Sequence, residues 1–246
     1  MQFLDAVTSG LDNNECIDVV YLDFAKAFDK VPHERLLDKF NKHGIGGRVW
    51  LCIKEWLSDR KQRVCISGRC SNWISLTSGV PQGSVLGPLL FLIFINDLDS
   101  NLLSSLLKFA DDTKVFTRVN DEQDREQLQA DLDCLTEWSE KWQMPFNASK
   151  CRVICIWVGP IITSSNILGP KGNYTLQVTN EERDLGIIMS SNLNPAKQCQ
   201  QAYAKASRAL GMIHRTISFK TPSVLLRLYK SLVRPHLECC ISAWSP

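Results

Sequence analysis

The chain has 246 residues, 44% hydrophobic and 22% charged, with a net charge of +2. That is ordinary for a globular protein of one large domain or two small ones. Its longest apolar run, residues 89–95, is too short to span a bilayer, and the start MQFLDAVTSG lacks the basic and apolar regions of a signal peptide, so an intracellular protein with no membrane partner is expected. The ten cysteines form no Cys-x-x-Cys pair and no zinc spacing, which points to reduced, partly buried thiols.

Residues 16–23 (CIDVVYLD) form a β-branched, apolar run that ends in an acid. Such a run reads as a strand buried on both faces, with Asp23 at its C-terminal end, where sheet-based sites commonly open. Pro32 then suits the first turn of a helix carrying Leu36, Leu37 and Phe40 on one face and stopping at Gly44. Residues 48–57 repeat an amphipathic pattern. Residues 62–66 and 73–76 read as short strands around Ser67-Gly68. In SGVPQGSVLGPLLF, Gly79, Gly83 and Gly87 recur every four residues, which lets the main chain approach a ligand or another segment closely; Pro88 is expected to open an apolar helix over 89–98.

Residues 106–116 (LLKFADDTKVF) read as strand, tight turn and strand, with Asp111 and Asp112 at the tip. Adjacent carboxylates repel, and a hard divalent cation is their natural neutraliser; a plain polar turn is the other reading of the pair alone. Residues 121–144 form a helix with Leu128, Leu132, Leu135, Trp138 and Trp142 as its packing stripe. A turn at 147–150, a strand at 151–157, a loop over 161–174 and strands at 174–178 and 185–189 follow. From Pro195 the pattern is helical, as 195–217 and 223–236. Charge is lopsided: residues 185–246 hold 8 Lys or Arg and only Glu238, whereas residues 1–184 hold 20 Lys or Arg and 25 acids. A basic tail on an acidic body suggests contact with a polyanion, or else a solvated helical surface.

In order along the chain, YLDFAKAFDKVPH resembles the first palm motif of reverse transcriptases, SGVPQGSVLGPLLF their Gly-rich second motif, and FADD their catalytic acid pair. The Lys150 region and Asp184-Leu185-Gly186 are similar to the later palm motifs, and SLVRPHLECCISAWSP resembles the thumb of non-LTR, jockey-like retrotransposon polymerases. The resemblance implies an α+β fold: an antiparallel palm sheet packed by helices over 1–190, then a partial helical thumb over 191–246. It implies an RNA-directed DNA polymerase using two Mg²⁺ ions, or Mn²⁺ in their place, on an RNA template, a DNA primer and deoxynucleoside triphosphates.

By that resemblance Asp23, Asp111 and Asp112 are the catalytic acids, and the Phe24 carbonyl joins them as a metal ligand. Phe24, Ala27, Phe28, Gln82, Gly83 and Lys150 line the nucleotide, with Phe28 under the sugar and Lys150 as proton donor to pyrophosphate. Leu185 and Gly186 position the primer, and Lys197, Lys205, Arg208, Arg215, Arg227, Lys230 and Arg234 bind nucleic acid. Phe28 also reads as a core aromatic, and Lys150 as a surface lysine. Only 22 residues precede Asp23, too few for the family's fingers, so a truncated copy with little activity of its own is expected. A non-catalytic nucleic-acid-binding remnant is the alternative. A nucleotide cyclase is disfavoured by the Pro-Gln-Gly loop and the basic helices.

Overall fold

The computed structural model describes residues 2–157 and 175–244; the stretch 158–169, which fits no pattern of the family, and the loop expected over 161–174 lie outside the described residues. The chain divides into two compact bodies. One is made of residues 19–153 with 175–177, the other of residues 2–18, 154–157 and 178–244.

An unexpected first helix, α1 (Gln2–Asp12), buries Phe3 and Val7. Strand β1 (Ile17–Leu22) is buried along nearly its whole length, as its apolar run requires. A short helix α2 (Ala27–Lys30) follows, then α3 (His33–Lys42) and α4 (Gly47–Leu57). Next comes a narrow ribbon of four short strands: β2 (Lys61–Gln62), β3 (Cys65–Ile66), β4 (Arg69–Cys70) and β5 (Ile74–Ser75). Its tip turns at Ser67-Gly68, and the register sets Cys65 opposite Cys70. The two cysteines are joined as a disulfide with Cα atoms 4.2 Å apart, so the expectation of reduced thiols does not hold for this pair. Direct opposition across a tight hairpin brings the Cβ atoms within bonding reach.

Helix α5 runs Leu86–Phe94, three residues earlier than expected at its start and four at its end. Pro88 sits inside the first turn, where its missing N–H has no partner to lose, and Gly87 is buried beneath the loop: a Cβ there would stand 2.3 Å from the Pro81 carbonyl oxygen. Strands β6 (Ser105–Phe109) and β7 (Asp112–Arg118) pair antiparallel.

Helix α6 (Glu122–Trp142) starts at an Asp121 cap whose side chain accepts from the Asp124 N–H at 2.9 Å, a contact worth about 1 kcal/mol. Strand β8 (Arg152–Ile156) completes the centre of a sheet ordered β6-β7-β1-β8-β9, where β9 is Gln177–Val178. Leu128, Leu132, Leu135 and Trp142 of α6 join Phe24, Phe91 and Phe94 among the buried residues.

The second body holds a hairpin of β10 (Glu181–Asp184) and β11 (Ile187–Ser190). Leu185 and Gly186 form its two-residue turn, with φ of 47° and 91°. The sequence places a strand over 185–189 and none at 181–184; the turn corrects both. Helix α7 (Ala196–Thr216) follows, then α8 (Pro222–Leu228), a single π-turn at Tyr229–Val233, and α9 (Arg234–Glu238). Ala206, Ile213 and Val233 make their core, with Leu225, Leu228 and Leu237 packed around it.

Candidate active site

Asp23 lies just past the end of β1. Its main-chain carbonyl accepts from the Asn147 N–H at 2.6 Å, and Ala25 N–H donates to the Pro145 carbonyl at 2.8 Å. These two bonds flank an antiparallel bridge between Phe24 and Phe146, which makes Phe24 the non-hydrogen-bonded member of the ladder. The Phe24 carbonyl therefore points away from residues 145–147. The Phe24 ring is buried: it stacks on Phe146 at 4.6 Å and meets Phe91 edge-on at 6.4 Å.

The same turn delivers Lys150. Lys150 and Cys151 N–H both donate to the Asn147 carbonyl, which folds the chain back over Asp23. Lys150 Nζ comes to 3.1 Å from Asp23 Oδ2, yet off the axis of a hydrogen bond: this buried oxygen has no hydrogen-bond partner. Lys150 itself remains 64% exposed. Cys151 is buried beside them. Burial pushes its thiol pKa up, the Asp23 charge pushes the same way, and the Asp23 main-chain hydrogen bond opposes both.

Asp111 occupies the β6–β7 turn. Phe109 pairs with Asp112, leaving Ala110 and Asp111 as a two-residue loop in which Ala110 takes a φ of 54° and Asp111 does not. One left-handed residue followed by an ordinary one is the sign pattern of a type II′ turn, where glycine is the favoured first residue; alanine is strained there. Asp112 opens β7 and is exposed, while Thr113 after it is buried, as the alternation of a strand demands. Because β7 lies directly beside β1, the two acid-bearing segments are sheet neighbours. Among the described residues no group of three or more His, Cys, Asp or Glu stands together as a metal cage. A hard cation that also binds substrate phosphates needs only one or two carboxylates from the protein, and the Asp23 oxygen that accepts no hydrogen bond, with the released Phe24 carbonyl, fits that demand.

The Gly-rich segment packs against α2. Gly79 N–H donates to the Val31 carbonyl at 2.8 Å and Val80 N–H to the Phe28 carbonyl at 2.7 Å. His33 Nε2 meets the Gly79 carbonyl at 2.8 Å from the other side. A Cβ on Gly79 would stand 2.8 Å from the Asp29 carbonyl oxygen, so its close approach is to the first motif rather than to a ligand; around Gly83 there is open space. Gln82 and Gly83 are exposed. Phe28 is half-buried and stacks on Phe91 with ring centres 4.8 Å apart, and Ala27 is buried.

Two contributors lie outside the sequence reading. His33 stood in the quoted motif without a role. Lys39, not singled out in the sequence, is 1% exposed. Its ammonium lies 3.9 Å from the Trp142 ring centre, 4.7 Å from Trp138 and 4.9 Å from Phe94. It also pairs with Asp97, which accepts from Trp138 Nε1 at 2.9 Å. Burial lowers its pKa from 10.5 to about 8 against the pull of Asp97. This knot ties α3 to the end of α5, the helix that follows the Gly-rich segment.

Residues 7–213 match the family described as reverse transcriptase (RNA-dependent DNA polymerase). The chain belongs to this family. Among curated relatives of this reverse transcriptase is the RNA-directed DNA polymerase from mobile element jockey of Drosophila melanogaster, 33% identical over 150 residues, which is 57% of this chain and 16% of the relative. The jockey polymerase of Drosophila funebris is 28% identical over 250 residues, or 95% of this chain and 26% of the relative. The probable RNA-directed DNA polymerase from transposon X-element of Drosophila melanogaster is 25% identical over 254 residues, 98% of this chain and 27% of the relative. The chain thus spans between 16% and 27% of the length of these relatives. Apo telomerase from Candida tropicalis, truncated from its C-terminal domain, matches 77% of this chain and 38% of its own with a TM-score of 0.51 and 15% identity; at that identity the likeness shows the α+β fold. The reverse transcriptase family generally uses divalent metal ions.

The second body carries the remaining expected residues. Leu185 is 49% exposed at its hairpin tip. On α7, Lys197, Lys205, Arg208 and Arg215 fall within about 80° of one another at 3.6 residues per turn, and the buried Ala202, Ala206 and Ile213 lie on the other side. Arg227, Lys230 and Arg234 are exposed. Lys197 pairs with Glu181, and Arg234 pairs with Glu238 at 2.6 Å. The other five have no ion-pair partner among the described residues. No described helix is long and apolar enough to cross a membrane.

Proposed function

We propose that the chain is the metal-binding, nucleotide-accepting part of the RNA-directed DNA polymerase of a jockey-like retrotransposon, with residues 1–190 as palm and 191–246 as part of a thumb. Its substrates are an RNA template, a DNA primer and deoxynucleoside triphosphates. The observation that carries this reading is Asp23: a buried carboxylate oxygen that accepts no hydrogen bond and is approached only by the exposed Lys150 ammonium at 3.1 Å, next to a main-chain carbonyl turned out of the ladder. The lysine offsets the charge from one side and leaves the oxygen's acceptor capacity open to a ligand.

Two Mg²⁺ ions, or Mn²⁺, would supply Lewis acidity at the primer 3′-oxygen and at the departing pyrophosphate. Asp23, Asp111 and Asp112 would provide the negative charge that holds them, together with substrate phosphates, and Phe24 would provide a neutral oxygen. Phosphoryl transfer asks for positioning more than for covalent help, and the remaining residues supply it. Phe28, fixed by the Phe91 stack, presents a rigid wall for the sugar, with the buried Ala27 before it in the chain. Gln82 and Gly83 offer open main chain to the base pair. Lys150, already drawn to Asp23, holds a proton beside the place where the leaving group gains charge. Leu185 and Gly186 meet the primer end.

Titration of the purified protein with Mn²⁺, read by electron paramagnetic resonance with deoxynucleoside triphosphate present, tests the site. Asp23→Asn and Asp111→Asn should each weaken Mn²⁺ binding about tenfold or more, the loss of one charged ligand being worth at least 1.4 kcal/mol, roughly tenfold. Both should abolish Mg²⁺-dependent primer extension on an RNA template wherever the unsubstituted protein shows it. Equal Mn²⁺ affinity in all three proteins would overturn the assignment.

A further inference from the structure

The ribbon over residues 60–76 is absorbed by none of the roles above. Its strands form one continuous element. Lys61 pairs with Ser75 and Gln62 with Ile74, the Leu76 N–H donates to the Arg60 carbonyl at 2.8 Å and the Ser71 N–H to the Val64 carbonyl at 2.8 Å, and the tip is closed by Cys65–Cys70. Between Gln62↔Ile74 and Cys65↔Cys70 one strand advances three residues and the other four, so the returning strand carries a bulge that twists the ribbon. A free-standing pair of short strands is marginal by itself, and the disulfide secures it.

Its surface is unusual in two ways. No Asp or Glu occurs between Arg60 and Asn96, while the ribbon holds Arg60, Lys61, Arg63 and Arg69. Large apolar side chains also stand in solvent among these cations: Val64 is 64% exposed, Ile66 71%, Trp73 58% and Ile74 62%. The two features meet at Trp73, where the Arg63 guanidinium lies 4.5 Å from the ring centre. At the base of the ribbon Arg60 lies 6.0 Å from the Trp56 ring centre.

We propose that this ribbon is a docking surface for single-stranded nucleic acid, along which phosphates meet Lys61, Arg63 and Arg69 while an unpaired base stacks on the Trp73–Arg63 pair. The inference rests on the polymerase reading for its choice of a nucleic acid over other polyanions. Single strands are favoured over duplex because a duplex presents phosphates and groove edges but hides the faces of its bases. Exposed aromatic rings interleaved with cations suit a strand whose bases are free to stack.

The experiment is fluorescence anisotropy with end-labelled single-stranded DNA, single-stranded RNA and the matching duplex, without metal or nucleotide and at several salt concentrations. The polymerase reading can therefore fail in its own metal-binding test without touching this one. Charge reversal at Lys61, Arg63 and Arg69 together should weaken single-strand binding at least tenfold and lower the salt slope by about 2, at about 0.7 per phosphate. Trp73→Ala should weaken single-strand binding about fivefold or more, Trp73→Phe should restore most of it, and the duplex should be indifferent to both. The ribbon lies in solvent, and circular dichroism checks that each variant keeps the fold. Single-strand binding unchanged by the triple reversal overturns the proposal. So does a Trp73→Ala effect that is equal for duplex and single strand, since that would leave charge alone at work.

Discussion

A lysine buried in a ring of aromatics is a sensor of pH whether or not it has been selected as one. Lys39 carries a folded-state pKa of about 8 against 10.5 in its ordinary state. Below pH 8 it is protonated in folded and unfolded chains alike. Between 8 and 10.5 the unfolded chain keeps the proton and the folded chain releases it, so unfolding takes up a proton and stability rises with pH across that window. The contribution is fully present above 10.5 and is lost as pH falls through 8. Its size is at most about 3.5 kcal/mol, because each tenfold change in proton affinity is worth about 1.4 kcal/mol. Urea unfolding of the native protein and of Lys39→Met at neutral and at alkaline pH should show the native chain gaining on the variant as pH rises. Thiols and tyrosines titrate in both proteins and cancel in the difference. Parallel pH profiles would show that Lys39 keeps its proton, held by Asp97 and the three rings.

Among the packed elements, the first and second motifs form one unit, and its tolerance at two glycines should differ sharply. Gly79 has a φ of 93° and a Cβ there would stand 2.8 Å from the Asp29 carbonyl oxygen and 3.0 Å from its Cα, both backbone atoms that cannot swing aside; Gly83 has a φ of 80° but open surroundings. Gly79→Ala should therefore cost about 3 kcal/mol or more, from strain plus the broken bonds to Val31 and Phe28, while Gly83→Ala should cost only the left-handed backbone penalty of about 1 kcal/mol. Denaturant midpoints of the two variants decide it, and equal losses would mean that the loop shifts freely off α2.

Elements differ in how far the sequence discloses them. β1 and its terminal Asp23, the acid-tipped hairpin, α6 and the Asn147–Lys150 turn were all legible, because each is written in local pattern: an apolar run, alternation, a helical stripe, turn residues. β10 was not, since Glu181-Glu182-Arg183-Asp184 has no strand propensity and is a strand only through its pairing with β11. Nor was the burial of Lys39, whose partners Asp97, Trp138 and Trp142 are all far away in the chain. Of the candidate site, the sequence offered only a list of acids expected from the motifs. That Lys150 reaches Asp23, and that the Phe24 carbonyl is released from the ladder, needed the bridge between Phe24 and Phe146, a non-local pairing that no spacing announces.

Along the full chain, basic residues prevail only after residue 184, and the cationic helices of the second body should act unequally. Lys197 and Arg234 already have carboxylate partners in Glu181 and Glu238, so a phosphate must displace an internal ion pair to use them. Lys205, Arg208 and Arg215 on α7, and Arg227 and Lys230 after it, have no such competitor among the described residues. Each contact with a duplex phosphate releases about 0.9 counterions. Replacing Lys205, Arg208 and Arg215 together by Gln should reduce the slope of log affinity against log salt by about 2 to 3 for duplex nucleic acid, with no change in sequence preference, because phosphates carry no sequence information. Lys197→Gln with Arg234→Gln should change it by less than about 1. The two salt titrations separate an α7 cation face that grips phosphate from one that is merely solvated: a slope untouched by the triple substitution, or moved more by the already paired residues than by the free ones, would remove the helices of this body from the nucleic-acid path.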